Sequence, residues 1–498
     1  MNFRKYFGIR PWHIMALIFV VTVLYMAYYQ ITYNALWYDE SGQFWISAGL
    51  NHYSAPNSPW GGLHDIWVNN YSYNLDPGGF SLILRAWMSI ATNECWLRML
   101  PLTFLGIYFV FLYKTVMLLT HNRFISFAVM TLNIMQLPDD FPYKLLFVGI
   151  TDLRAYPMEM CGGIIFVWMF LKWNISKLKT LLAMSLVLCF FCTSRYGFIV
   201  AAFAFSLLVM YYLYKSENNL RSWALKYAAY GLPLLLCVVA IYFLSMQYQN
   251  GDAQRVYYLR YLSTQPGLLI KSPISWELYF VIIVYLFTRK SMTIEVKKYF
   301  HCVIFLGLTF LLLSLLGLYP WDCQRTVTMY LFVYNATCIT ILSYLCKYKY
   351  APLLLCLLIS ANSISYRRIL IQGRDYRSSS AREQIEEISE IRRLYPDKKV
   401  FVDRFINPDL RYACEYSTIK DSLKHVYGEN LVLHKGVKHC IKKKSAFDEN
   451  EVVDWYVLER FEESMEGCDL FVFSDALFVA MDKGFKKFGD YNYIYVRE

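Results

Sequence analysis

Apolar blocks recur along this chain from residue 11 to residue 365, most of them about 17 to 25 residues long, the length that crosses the hydrocarbon core of a bilayer. Soluble folds do not repeat uncharged stretches of that length so often, so the chain reads as a polytopic membrane protein. The expected spans are 11–30, 96–119, 124–138, 157–173, 178–193, 196–214, 223–245, 274–288, 300–318, 326–345 and 350–365, several of them short, which leaves tilted, kinked or merged helices open. Composition agrees, with 57% hydrophobic, 18% aromatic and 17% charged residues, where soluble domains carry about a quarter charged. A chain of 498 residues has room for about three soluble domains. The clustering of its apolar residues favours one membrane domain over 1–365 and one smaller domain over 366–498.

Arg4, Lys5 and Arg10 precede an apolar run from Ile14 to Ala27 that imitates a secretory signal. No small-residue cleavage site follows and further spans do, so this segment reads as an uncleaved signal anchor. Lys and Arg in the short loops then set the orientation. Lys114 with Arg123, Lys172 with Lys177 and Lys179, Lys215 with Arg221 and Lys226, Arg289 with Lys290, Lys297 and Lys298, and Lys347 with Lys349 all fall on the side of the N-terminus. The opposite side is poorer in base. Its longest loop, 31–95, sets Arg85 against Asp39, Glu40, Asp65, Asp76 and Glu94. That side is expected to be outside, the periplasm for a protein of the bacterial inner membrane or the lumen in a eukaryote. An odd number of spans places 366–498 outside too.

The 31–95 loop is more than a linker. It holds Trp37, Trp45, Trp60, Trp67, Tyr71 and Tyr73, and segments 40–50 and 78–90 have helical length with apolar faces, which suits the membrane interface. The tail changes character. Lys399 to Asp403, Asp469 to Ser474 and Tyr491 to Val496 read as strands, and Ala381 to Leu394 and Asp475 to Phe488 as helices. The expected fold class is therefore an all-α polytopic membrane domain of about 11 transmembrane helices with a small C-terminal α/β soluble domain.

A net charge of +11 raises the question of nucleic acid, but Lys and Arg lie between apolar blocks and form no single basic face interleaved with aromatics. Most of the thirteen cysteines, such as Cys161, Cys237, Cys302 and Cys356, stand singly inside spans without the spacing of a metal site, and read as small buried hydrophobes. Cys414, Cys440 and Cys468 can include one disulfide if the tail faces an oxidising compartment.

Ionisable residues at span edges are where function is sought, because charge near lipid is costly without a partner or a task. Asp39 and Glu40 follow the first span in Trp37-Tyr-Asp-Glu-Ser41. Burial and mutual repulsion would raise one of the two pKa values and make a general base. The alternative is a helix start whose dipole these carboxylates complement; on spacing the two readings stand level. Asp152, Arg154 and Tyr156 open the fourth span, Arg195 and Tyr196 the sixth, Asp322 and Arg325 the tenth. The planar fork of arginine suits a lipid phosphate, against snorkelling or a structural ion pair such as Asp152 with Arg154. Asn74-Leu-Asp76-Pro-Gly-Gly-Phe80, leading to Glu94-Cys-Trp-Leu-Arg98-Met-Leu-Pro101, by itself predicts only a break between two interfacial helices.

In their order and sidedness these features resemble the GT-C fold membrane glycosyltransferases, in the group of dolichyl-phosphate-mannose protein mannosyltransferases and aminoarabinose transferases. The resemblance covers about residues 1–345 and rests on motifs of a few residues each. It implies that Asp39 is the catalytic carboxylate with Glu40 beside it. Arg98 matches the family's Leu-Arg, Arg154 with Tyr156 its Arg-x-Tyr, and Arg325 its late-span arginine. Asp76-Pro-Gly stands where the family has His-Pro-Pro, which puts the role of that histidine in doubt. Arg195 joins the expected substrate-binding set on its place at a span entrance.

The function expected is transfer of a sugar from a polyprenyl-phosphate donor to a lipid, glycan or protein acceptor on the outer face. Arginines would stabilise the leaving phosphate and Asp39 would deprotonate the acceptor hydroxyl. Membrane lipids are expected partners, nucleic acid is not, and no cofactor is expected; the adjacent carboxylates leave a divalent cation open, though spacing does not support one. The alternative is a transporter, flippase or polymerase of lipid-linked glycans. Such proteins more often show inverted repeats or mid-membrane charges, neither of which stands out here. Eleven spans exceed what a third reading, a membrane anchor for the tail, would need.

Overall fold

The computed structural model describes residues 10–31, 35–50, 57–70, 76–135, 152–245, 272–316, 318–319, 321, 327–403, 406–433, 465, 467–473 and 485–497. Backbone amides inside a bilayer find no water, so each must be satisfied within its own segment. The apolar blocks are accordingly helices. They are α1 (Pro11–Ile31), α5 (Glu94–Thr120), α6 (Arg123–Met135), α7 (Tyr156–Lys172), α8 (Leu178–Cys192), α9 (Tyr196–Ser216), α10 (Leu220–Leu244), α11 (Pro273–Thr288), α12 (Ile294–Leu315), α13 (Val327–Leu345) and the start of α14 (Ala351–Leu394). Each of the eleven expected spans falls on one of these. Among the described residues six helices are long and apolar enough to cross a membrane, and α6, α8, α11 and Ala351–Asn362 are shorter apolar helices. Leu225, Leu235, Leu236 and Phe243 of α10 stay more than half exposed, a surface suited to lipid and unsuited to water. The chain is an integral membrane protein.

Between α1 and α5 the first loop forms α2 (Tyr38–Ser47), α3 (Leu63–Asn70) and α4 (Gly79–Met88), so both segments expected to be helical there are helices. By contacts the chain divides into two compact units. The first holds Met1–Tyr29, Leu75–Phe80 and Pro101–Ile371; the second holds Gln30–Asn74, Ser81–Leu100 and Gln372–Glu498. Most of the first loop thus belongs to the same unit as the tail.

Inside the first unit three buried polar side chains close a ring. The Tyr108 hydroxyl donates to Asn133 Oδ1 (2.8 Å), Asn133 Nδ2 to Asn335 Oδ1 (2.6 Å), and Asn335 Nδ2 to the Tyr108 oxygen (3.3 Å), linking α5, α6 and α13. Each group both donates and accepts, which makes burial in an apolar bundle tolerable. Asn335→Leu breaks two of the three bonds and is expected to cost about 1–2 kcal/mol. Thermal unfolding of the purified protein in detergent checks this; an unchanged midpoint would mean the ring adds nothing.

The second unit carries a five-stranded sheet, β1 (Val400–Val402), β2 (Leu431–Leu433), β3 (Leu470–Val472), β4 (Phe485–Lys487) and β5 (Ile494–Arg497). The order is β2-β1-β3-β5-β4, with β1 parallel to β2 and β3, and β5 antiparallel to β3 and β4. Period-two alternation divides the side chains. Val400, Val402, Leu470, Val472 and Ile494 pack with Ile385, Ile388 and Ile391 of α14, while Phe401, Phe471, Phe473 and Phe485 form a second cluster. Central strands buried on both faces read as continuous apolar runs, which is why Val-Phe-Val and Leu-Phe-Val were legible. The expected helix Asp475 to Phe488 is corrected at its end, where Phe485–Lys487 is a strand paired with Arg497, Val496 and Tyr495. Pairing with β5 overrides the local pattern there, and the preceding part of that segment lies outside the described residues. Cys414 and Cys468 are free thiols, and Cys440 lies outside the described residues.

α15 (Asn407–Glu415) packs on the first loop within this unit. Phe44 meets Tyr412 and Tyr416 at ring centroids 4.9 Å apart, Trp45 Nε1 donates to the Pro408 carbonyl (3.1 Å), and the Tyr412 hydroxyl donates to Thr92 O (2.8 Å). Buried Glu94 accepts from the Ser417 hydroxyl and from the Thr418 amide. The guanidinium of buried Arg411 lies 3.9 Å from the Trp45 ring centroid and bonds Glu415 (3.0 Å).

Candidate functional site

The acidic pair opens α2. Trp37, extended at φ −85° and ψ 170°, precedes the helix, and Asp39 and Glu40 occupy its first turn. Negative charge is favoured there by the helix dipole, and a Glu40 carboxylate oxygen lies 3.4 Å from the Trp37 amide that donates to it. The end of α2 is set by Gly49. Its φ of +68° suits glycine, and a Cβ there would lie 3.0 Å from the backbone of Gly61 and Gly62.

The two carboxylates part company at this point. Glu40 is buried, and Arg98 from the first turns of α5 grips it with a fork, Nε to Oε1 at 3.0 Å and Nη2 to Oε2 at 2.6 Å, while also donating to the Ala35 carbonyl. Successive helical residues point about 100° apart, so Asp39 faces another side of the helix, where it is half-buried. A third carboxyl comes from the tail. Asp409, in the first turn of α15, shares a hydrogen bond with the Ser41 hydroxyl. Burial, first, and the charges of Glu40 and Asp39 raise its pKa well above the usual carboxylate range. The site thus combines one carboxylate neutralised by arginine, one carboxyl inclined to hold its proton, and Asp39.

In the first unit a second charged cluster forms around Arg195, the residue before α9. Its Nη1 donates to Glu159 Oε2 at 2.9 Å, its Nε lies 3.5 Å from Asp76 Oδ1, and its guanidinium carbon sits 4.0 Å from the Tyr156 ring centroid. Thr328 of α13 donates to the other Glu159 oxygen at 2.7 Å. Pro157 starts α7 with its fixed φ. Arg154 is half-buried in the turn before that helix, its amide donating to Asp152 O at 2.6 Å. Arg325 and Asp322 lie outside the described residues. The structure therefore unites Glu40 with Arg98, and Asp76 with Tyr156 and Arg195. Sequence reasoning missed Glu159, though a lone Glu in an apolar span was the available signal, and missed Asp409, which nothing in Asn407-Pro-Asp409 distinguishes from an ordinary helix start.

Gly79 fixes the turn that carries Asp76. Its amide donates to the Thr193 carbonyl at 2.9 Å, and a Cβ would lie 2.1 Å from Thr193 Oγ1, 2.4 Å from Thr193 Cβ and 2.7 Å from that carbonyl. Gly79→Ala is expected to destabilise the protein by about 1–3 kcal/mol, the usual range for overpacking. Thr193→Ala in the same chain should recover only part, because the backbone oxygen stays. Denaturation midpoints of the two variants test this, and an unperturbed Gly79→Ala would mean the turn gives way freely.

No family model matches the chain, and no curated protein matches it. Among solved structures it is similar to the Archaeoglobus fulgidus oligosaccharyltransferase tethered with an acceptor peptide containing the NVT sequon via a disulfide bond. Identity is 10% and the TM-score 0.41, over 82% of this chain and 64% of that one. The chain thus spans less than two thirds of that structure's length.

Among the described residues no three His, Cys, Asp or Glu side chains gather as a metal site requires. Arg98 and Arg195 each already serve carboxylates, so their charge is compensated. Chemically, the α2 site offers a carboxyl held in a built turn, and the Arg195 cluster a rigid support for the Tyr156 and Asp76 segments.

Proposed function

We propose that the protein is a membrane glycosyltransferase of the GT-C kind, moving a sugar from a polyprenyl-phosphate donor to a lipid, glycan or protein acceptor on the non-cytoplasmic face, with a bacterial inner membrane as the setting. The observation that carries the reading is the split of the acidic pair. Glu40 is buried in the Arg98 fork, whereas Asp39 is half-buried on another side of the helix, the more accessible of the two to an acceptor. In this reading Asp39 takes the proton of the acceptor hydroxyl as it attacks the anomeric carbon. Donor phosphate falls to Arg154 and Arg325 on the resemblance of their motifs, and two carboxylate neighbours would weaken phosphate binding at Arg195. Arg98, Arg195, Tyr156 and Asp76 then act by holding the segments that carry the reacting groups. The resemblance of the motifs to that family and the many spans support the same reading. The test is transfer in vitro from a panel of polyprenyl-phosphate sugars to cell-envelope extract, native chain against Asp39→Asn. Transfer by neither from any donor would turn the reading toward a transporter or flippase of lipid-linked glycans.

A further inference from the structure

Asp409 lies in the first turn of α15, 4% exposed, and its carboxyl meets α2 at Ser41. Ser41 is fully buried, and its hydroxyl is also 3.1 Å from the carbonyls of Trp37 and of Tyr38. A hydroxyl has one proton to donate. It cannot serve a carboxylate and these carbonyls together. With a protonated Asp409 the order is resolved, the acid donating to Ser41 Oγ and Ser41 donating to the carbonyls of the turn before it. Burial, first, and the charges of Glu40 and Asp39 favour the protonated acid, against a bond to Ser41 that by itself would favour the carboxylate. The packing around the contact is closed by Trp45 on Pro408 and by Phe44 against Tyr412.

We infer that Asp409 of the C-terminal domain is a positioning residue for the acidic pair, fixing through Ser41 the turn of α2 that carries Asp39 and Glu40. The inference rests on the reading of Asp39 as the base. It gives the tail a task in the reaction. A base has to lie within hydrogen-bond reach of its proton, and a displacement of about 1 Å far from the chemistry can cost about a hundredfold in rate.

The test uses the full chain in detergent. Asp409→Leu removes the contact, whereas Asp409→Asn keeps a donor for Ser41. Asp409→Leu is expected to lower kcat for sugar transfer about a hundredfold while the donor KM changes less than about threefold, and Asp409→Asn to restore kcat to within about threefold of the native chain. A folded Asp409→Leu with native kcat, or an Asp409→Asn no better than the leucine variant, overturns the inference. Where Asp409→Leu does not fold, Ser41→Ala removes the contact from the other side and is expected to lose kcat equally; native kcat in Ser41→Ala overturns it. If the native chain transfers sugar from no donor, the function proposal fails by itself. The positioning is then read from hydrogen exchange of amides 38–44, expected to quicken in Asp409→Leu and not in Asp409→Asn, with equal exchange in both overturning it.

Discussion

Arg98→Ala is expected to cost the protein about 3–5 kcal/mol, the range for breaking a buried ion pair from one side. The reason is what it leaves behind. Glu40 sits with its side chain 1% exposed at the start of α2, and both of its oxygens bond the Arg98 fork. Without the guanidinium, the buried carboxylate loses both bonds of the Arg98 fork and the charge that goes with them. The Ala35 carbonyl loses its Arg98 donor as well. Replacing both partners, as in Glu40→Leu with Arg98→Leu, removes the orphaned charge, and is expected to recover most of the loss because desolvation of both ions vanishes with their attraction. Denaturation midpoints of single and double variants decide this. A single variant as stable as the native chain would show that the pair is a passive contact. A double variant no better than the single one would show that the fork acts through its other bonds. Loss of transfer in Arg98→Ala is therefore read only alongside its folded fraction.

Spans, the first-loop helices and the central strands were legible because periodicity and block length are local properties. Val400–Val402 and Leu470–Val472 illustrate this, since strands buried on both faces must be apolar throughout. The strand at Phe485–Lys487 was not legible. Its pattern in isolation continues a helical stretch, and what makes it a strand is pairing with Ile494–Arg497, a partner that local periodicity does not reveal. The same holds for the site. Asp39, Arg98, Asp76 and Arg195 could be marked as charges at the edges of apolar blocks. That Glu40 belongs to Arg98, 58 positions away, and Ser41 to Asp409, 368 positions away, depends on long-range packing. Glu159 was visible as a charge inside a span, and its partnership with Arg195 and Thr328 was not.

Asp39→Asn is expected to lower kcat for sugar transfer about 10²–10⁴-fold, the range a positioned general base supplies, while leaving stability and donor KM near those of the native chain. The substitution keeps the shape of the side chain and its hydrogen-bonding oxygen, and Asp39 is half-buried in the first turn of α2. Loss of one first-turn charge should therefore cost the fold less than about 1 kcal/mol. The contrast with Glu40→Gln sharpens the test. That change strips Arg98 of its buried counter-charge and is expected to lower stability, so the two neighbours separate into one kinetic and one structural phenotype. Steady-state transfer kinetics and denaturation midpoints, measured on the same preparations, report both. Full transfer by a folded Asp39→Asn would remove this residue from the chemistry. Net movement of lipid-linked glycan across vesicles by that same variant would favour the transport reading, since a carboxylate needed to deprotonate an acceptor has no such duty in carrying an intact substrate.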